Sequence, residues 1–291
     1  MRNPLLKLLK DSAKAVSGHG LGQIKPIRWL YDRLYQLFRP RWVWVQGHKM
    51  FLDPMDTLEL ATREIYEPLE TALLKDNLRS GQTFVDIGAN IGYYTLLAAR
   101  IVGPQGRVFA FEPDPENFQL LKKNVKTNGY SNVVLVPKAV SNHTGQTLLY
   151  LNPLNRGDHR LYDSSDGRRS ISVELITLDD FFKALETTVH FIKMDIQGSE
   201  AAALAGMKKL LQLNSEIKLV SEFWPGGLKR SGIDPRVYGD QLIELGFQIQ
   251  EINERDGKLL PVHLDELLNR FSPAEDGYTN FFCEKESHAH R

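Results

Sequence analysis

Asp86, Gly88, Gly92 and Glu112 have the residue types and spacing to capture a nucleoside. They lie in Thr83-Phe-Val-Asp86-Ile-Gly88-Ala-Asn90-Ile-Gly92, followed by an apolar run to Val102 and by Arg107-Val-Phe-Ala-Phe-Glu112. An uncharged run ending in an acid, two glycines four apart, an amphipathic segment and a second apolar run describe a strand, a tight turn, a helix and a strand. Gly88 is expected to turn the backbone off the strand, and Gly92 to let the first helical turn approach a ligand without a Cβ in the way. Glu112, ending the neighbouring strand, is placed to accept hydrogen bonds from both hydroxyls of a ribose.

A dinucleotide site needs G-x-G-x-x-G so that a pyrophosphate rests on the helix N-terminus. This chain instead has Gly88-x-x-x-Gly92 with Asp86 just ahead. A carboxylate there repels a pyrophosphate and suits a cation, which favours S-adenosylmethionine over NAD. A generic α/β turn with an incidental acid is the plainer alternative, and Glu112 in register argues against it.

Further acids fall where an acceptor would lie. Asp195 and Glu222 end the expected fourth and fifth strands, and ligands of open α/β sheets bind beyond the carboxyl ends of strands. Methyl transfer is an in-line displacement, so the protein must align the acceptor and take or position its proton. Asp195 is the first candidate for that role, with Glu200 and Glu222 in support. Helix capping or dipole pairing is the competing reading for all three, and it suits Glu200, in a helix's first turn, best. Among the histidines, His143 and His159 fall in the region expected to face the pocket, and His190 begins a strand far from it. The polar segment 152–170 is long for a structureless loop and is expected to be an acceptor-facing flap. Arg156, His159 and Arg160 would meet a polar or anionic substrate there, although solvated loop charges are the commoner outcome.

VDIGANIGYYTLLAA, AFEPDPENFQLLKKN and FIKMDIQGSEAAALAG occur in that order. Together they resemble the FkbM-type branch of class I S-adenosylmethionine-dependent methyltransferases, over about residues 66–222. The resemblance implies a Rossmann-like fold, with a mostly parallel seven-stranded sheet and helices on both faces. It implies S-adenosylmethionine as cofactor, and it extends the cofactor set to Glu67 of Tyr66-Glu67-Pro68, to Asn90 and Pro113 beside the glycine turn, and to Ala139 and Val140 at the adenine edge. On residue physics alone, Glu67 is equally a first-turn helix acid and residues 139–141 an ordinary strand exit. The family is associated with O-methylation of sugars and secondary metabolites, so a small-molecule or glycan hydroxyl is the implied acceptor. Gln197 departs from the family's K-x-D-x-E-G-x-E, keeping hydrogen-bonding capacity but losing a charge.

With 291 residues, 42% hydrophobic and 25% charged, the chain suits one large α/β domain with an appendage. The single cysteine, Cys283, excludes a disulfide framework, a Cys-based zinc site and pyrimidine methylation through a Cys adduct. No histidine–carboxylate spacing suits a metal, so none is expected. Residues 1–50 carry ten Lys or Arg against two acids, a net +8 in a chain of zero net charge. Apolar residues at 5, 9, 13 and 16, and again at 27, 30, 34 and 37, predict two basic amphipathic helices. Their charge fits an anionic membrane surface or a packed lid with a wetted face.

The expected organisation is an extension with a short hairpin over 1–56, the methyltransferase domain over 57–286, and a flexible tail over 287–291. Repeated strand–helix alternation predicts the parallel sheet independently of the resemblance. No secretory pattern or bilayer-length apolar run is evident, so a cytoplasmic protein is expected, with residues 1–40 as the segment for peripheral contact at the inner membrane surface. The +8 N-terminus motivates an RNA methyltransferase as the alternative, against which stand the acidic catalytic half and the lack of a nucleic-acid module. Gln197 motivates a second alternative, a cofactor-binding protein without turnover.

Overall fold

The structure, a computed structural model, describes residues 33–271 and 277–285 apart from residues 36 and 186. The chain divides into two compact units meeting at Tyr66 and Glu67. In the first, β1 (Trp42–Val45) and β2 (His48–Phe51) form the expected antiparallel hairpin. Its turn, Gln46-Gly47, has φ of 49° and 78°, the twist that joins two strands through two residues. Residues 57–66 form turns and bends, and helix begins only at Pro68. The carboxylate of Asp53 accepts from the Met55 and Thr57 amides, and that of Asp56 from the Ala61 amide, so side chains take donors that a helix would use. The basic helices expected over 5–16 and 27–37 fall almost wholly outside the described residues.

The second unit runs α1 (Pro68–Asn77), β3 (Thr83–Ile87), α2 (Tyr93–Val102), β4 (Arg107–Phe111), α3 (Pro115–Thr127) and β5 (Val133–Val136). A small sheet follows, built from β6 (Ala139–Val140), β7 (Gly145–Leu151) and β8 (Arg169–Ile176), and then α4 (Leu178–Lys183). The chain returns through β9 (Phe191–Met194), α5 (Glu200–Ala205), α6 (Lys208–Leu213), β10 (Lys218–Phe223), α7 (Pro225–Arg230) and α8 (Pro235–Glu244). It closes with β11 (Phe247–Asn253), β12 (Lys258–Pro261), α9 (Leu264–Arg270) and β13 (Thr279–Lys285).

The main sheet has the order β12-β11-β13-β10-β9-β3-β4-β5. From β10 to β5 every pairing is parallel, while β13 runs antiparallel to both β10 and β11. This is the Rossmann-like arrangement expected, with eight strands rather than seven. The extra strand is β12, a hairpin partner of β11. Leu259 and Leu260 are apolar residues whose period is too short to separate strand from helix. β3 is buried along its whole length, as a parallel strand covered on both faces must be. Chain order reverses between β3 and β9, which makes the gap beyond their carboxyl ends the topological switch point.

Two breaks shape that gap. The helical stretch after Ser199 is split into α5 and α6 at Gly206, where a Cβ would drive into the Ser141 carbonyl oxygen. α7, which the sequence did not announce, starts directly after β10 with Trp224 at its N-cap. Among the described residues, no helix is long and apolar enough to cross a membrane.

Candidate functional site

Asp86 sits one residue from the end of β3, 1% exposed, and accepts a hydrogen bond from Thr95 Oγ1 at 2.6 Å. Burial pushes its carboxyl up to about 6, against the pull of the Thr95 hydroxyl. The turn that follows is built for close approach. Gly88 has φ of +81°, and a Cβ there would drive into the Asp195 carbonyl oxygen, so the β3 and β9 exits touch. Gly92 has φ of +97°, and a Cβ there would lie 2.6 Å from Leu121 Cδ1, so backbone conformation and packing both favour glycine.

Glu112 follows β4 and is 5% exposed. Its carboxylate accepts from the Asn90 amide at 2.8 Å and the Asp114 amide at 2.9 Å. Those bonds fix its orientation, and each oxygen keeps a second lone pair for a hydroxyl. Burial nevertheless pushes it up to about 8. Asn90, at φ of 51°, folds its side chain back to accept from the Ile91 amide, and Pro113 is half-buried beside it. Ala139 and Val140 lie buried in β6.

The register of β3 against β9 pairs Asp86 with Lys193, and Lys193 is a residue that sequence reasoning passed over. Its Nζ lies 3.4 Å from Glu70 Oε1, 3.6 Å from Asp195 Oδ2 and 4.7 Å from the centre of the Tyr94 ring. Burial alone would lower its pKa, but Glu70, Asp195, Glu67 and Asp86 outweigh it and hold the ammonium well above its usual range. Glu67, at the N-cap of α1 with φ of 43°, accepts from the Tyr94 hydroxyl at 2.8 Å. Removal from water, with Glu70 beside it, raises Glu67 to about 8. Lys193 was legible only as a lone charge in an apolar strand.

Asp195 leaves β9 with its side chain 28% exposed, whereas that of Glu70 is 2% exposed. The Gln197 amide donates to Asp195 Oδ1 at 2.8 Å and to Glu222 Oε1 at 3.0 Å. Gln197 therefore bridges the two acids and is itself held at φ of 55°. Glu222 is 6% exposed, with Oε2 unpartnered among the described residues. Burial, then Asp195 and Glu200, push its carboxyl well up. Glu200 is fully buried, raised to about 7 by that burial, and accepts from the Ile196 and Gly198 amides. It pins the loop that carries Gln197.

The flap residues behave differently from expectation. Arg156 donates to Asp114 at 2.8 Å, Glu116 at 2.5 Å and Asn117 at 3.0 Å, strapping the segment to the start of α3. His159 accepts from the Asn152 amide and is buried, which lowers its pKa. Both are turned into the protein, so neither stands ready for a substrate. His143 pairs with the neighbouring Asn142, and His190 accepts from the Thr83 amide at the opposite end of β3. Among the described residues no cluster of His, Cys, Asp and Glu could hold a metal ion.

The model of the methyltransferase FkbM domain matches residues 86–270, from the glycine turn to α9. The chain belongs to the FkbM methyltransferase family. It is 32% identical over 124 residues to a probable cobalt-precorrin-6B C(15)-methyltransferase of Sulfurisphaera tokodaii, covering 40% of this chain and 65% of that protein. It is 28% identical over 142 residues to the hexuronic acid methyltransferase AglP of Haloferax volcanii, covering 48% and 56%. Its matches thus span between about half and two thirds of these relatives. The crystal structure of an FkbM methyltransferase from Methylobacillus flagellatus superposes with a TM-score of 0.42 at 19% identity, covering 73% of this chain and 50% of that one.

S-adenosylmethionine is the cofactor of this family, and the donor set of this FkbM domain fits it. Glu67, Glu70, Asp86, Asp195 and Glu222 surround one cation, Lys193. That excess of buried carboxylates favours a ligand bearing positive charge and disfavours a pyrophosphate.

Proposed function

We propose that this chain transfers the methyl group of S-adenosylmethionine to a hydroxyl of a sugar, glycan or secondary metabolite. The observation that carries this reading is Asp195, a partly open carboxylate flanked by Lys193 and Gln197 at the switch point of the sheet. The Haloferax relative, a hexuronic acid methyltransferase, supports a sugar acceptor.

In this reading Glu112 takes the ribose hydroxyls, the backbone of Gly88, Asn90 and Gly92 with Pro113 walls the nucleoside, and the backbone of Ala139 and Val140 meets the adenine. Asp86 and Glu67 face the cationic end. Bound S-adenosylmethionine supplies an electrophilic methyl group and a thioether leaving group. Asp195 aligns the acceptor hydroxyl and takes its proton as the O–C bond forms and the C–S bond breaks. Lys193, 3.6 Å from Asp195 Oδ2, and the Gln197 amide, donating to Oδ1, hold the Asp195 carboxylate in its orientation. Glu222 and Glu200 hold Gln197 and its loop in place.

Calorimetric titration with S-adenosylhomocysteine, with NAD in parallel, tests the cofactor half. Micromolar binding of the former alone is expected, and binding of NAD or of neither would overturn the reading. A single-turnover panel of sugar and metabolite hydroxyls tests the transfer, and a panel with no methylated member would favour a cofactor-binding protein without turnover.

A further inference from the structure

The flap and the start of α7 come together around Trp224. The Arg160 guanidinium lies 4.7 Å from the centre of the Trp224 ring and 5.9 Å from that of Tyr162, and Arg230 lies 5.1 Å from the Trp224 ring. Asp158 is shared between Arg160 and Arg168, and Arg168 also pairs with Asp166. Trp224 is 6% exposed, and its indole N–H has no acceptor among the described residues; nor has the buried hydroxyl of Tyr162. An indole nitrogen can only donate, and leaving a buried donor unmet is costly. This cluster of donors and positive charge therefore awaits a group that only accepts.

Its position ties it to the acids. A Cβ on Gly227 would drive into the Trp224 ring, and one on Gly198 would lie 2.7 Å from the Gly227 carbonyl oxygen. The indole thus lies flat on the first turn of α7, against the loop that begins with Gln197. On the acid side Glu222 Oε2, Glu200 Oε2 and Glu70 Oε1 are buried without a hydrogen-bond partner among the described residues, and each seeks a donor when ionised. The site is polarised, with acceptors toward Asp195 and donors toward Trp224.

Resting on the hydroxyl-transfer reading, we infer that the acceptor carries an anionic oxygen group, a carboxylate or a phosphate, beside the hydroxyl that is methylated. Trp224 Nε1 and the Tyr162 hydroxyl, beside the Arg160 guanidinium, receive that group, while the hydroxyl points at Asp195. Charge-assisted bonds from guanidinium to carboxylate or phosphate are the strong members of their class, so the anion selects the acceptor and fixes its orientation.

Ligand-observed NMR titration of the full chain saturated with S-adenosylhomocysteine tests this with three probes: glucuronate, glucose 6-phosphate and glucose. At least tenfold tighter binding of one anionic probe over glucose is expected, and which one wins separates carboxylate from phosphate. Tyr162→Phe removes only a hydroxyl and Trp224→Phe keeps an aromatic ring. Each should abolish most of that preference while leaving S-adenosylhomocysteine affinity unchanged. Equal affinities, binding of none of the three, or a preference untouched by both variants would overturn the inference. An anionic sugar that binds selectively but is never methylated would leave the anion subsite standing and count against hydroxyl transfer alone.

Discussion

Gln197 links Asp195 and Glu222 through one amide, and that changes what the substitution means. A glutamate at this position would add a third carboxylate within hydrogen-bond distance of two others, where like charges raise pKa values. Gln197→Glu is therefore expected to move the acidic limb of the kcat–pH profile upward by about one unit or more, while a profile that stays in place would remove the amide from the proton chemistry. Asp195→Asn should spare S-adenosylhomocysteine binding and lower kcat by about 10²–10⁴, the usual share of a general base. Glu112→Ala should behave oppositely and weaken S-adenosylhomocysteine binding by about 1.5–3 kcal/mol, the range for hydrogen bonds to a charged group. Calorimetry separates the two, and equal cofactor affinities for wild type and Glu112→Ala would end the ribose assignment.

At the scale of elements, two devices hold the site. The first is the break between α5 and α6, where Gly206 lets a helix end rest on the Ser141 carbonyl. Gly206→Ala meets backbone rather than a flexible side chain, so a loss of about 2 kcal/mol is expected from overpacking. That lowers Tm by about 4–8 °C in a unit of this size, and an unchanged melting curve would show that the contact yields freely. The second is Arg156, whose bonds to Asp114, Glu116 and Asn117 strap the 152–170 segment to α3. Arg156→Ala should make that segment the first site of limited proteolysis, with the sheet still intact.

At the scale of the whole molecule, the buried carboxylates impose a pH dependence on folding. Glu112 and Glu67 are raised to about 8, Glu200 to about 7 and Asp86 to about 6, each by burial first. A carboxyl whose folded pKa exceeds its unfolded value holds its proton more tightly when folded, so stability is full below the unfolded pKa and falls as pH rises through the folded one. The cofactor-free protein should therefore melt at a higher temperature at pH 5.5 than at pH 8. A positively charged ligand compensates the ionised acids, so S-adenosylmethionine should narrow that difference. Calorimetric melting with and without the cofactor reads both, and a melting temperature that rises across this window would contradict the burial of these acids.

The local pattern alone established the strand–turn–helix–strand around Asp86, Gly88 and Glu112, because apolar runs, a helical period and glycine spacing are short-range signals. The same signals announced the parallel sheet, while the family came from the resemblance of three ordered motifs. They were insufficient where period and length are ambiguous, as at β12, and where side chains captured backbone donors, as at Asp53 and Asp56. Lys193 facing Asp86 across β3 and β9, Gln197 joining Asp195 to Glu222, and Trp224 beside Arg160 and Arg230 unite residues that the sequence lists far apart. Only strand register and close backbone packing bring such groups within hydrogen-bond or ring-contact distance, so the electrostatics of the site belong to the tertiary structure.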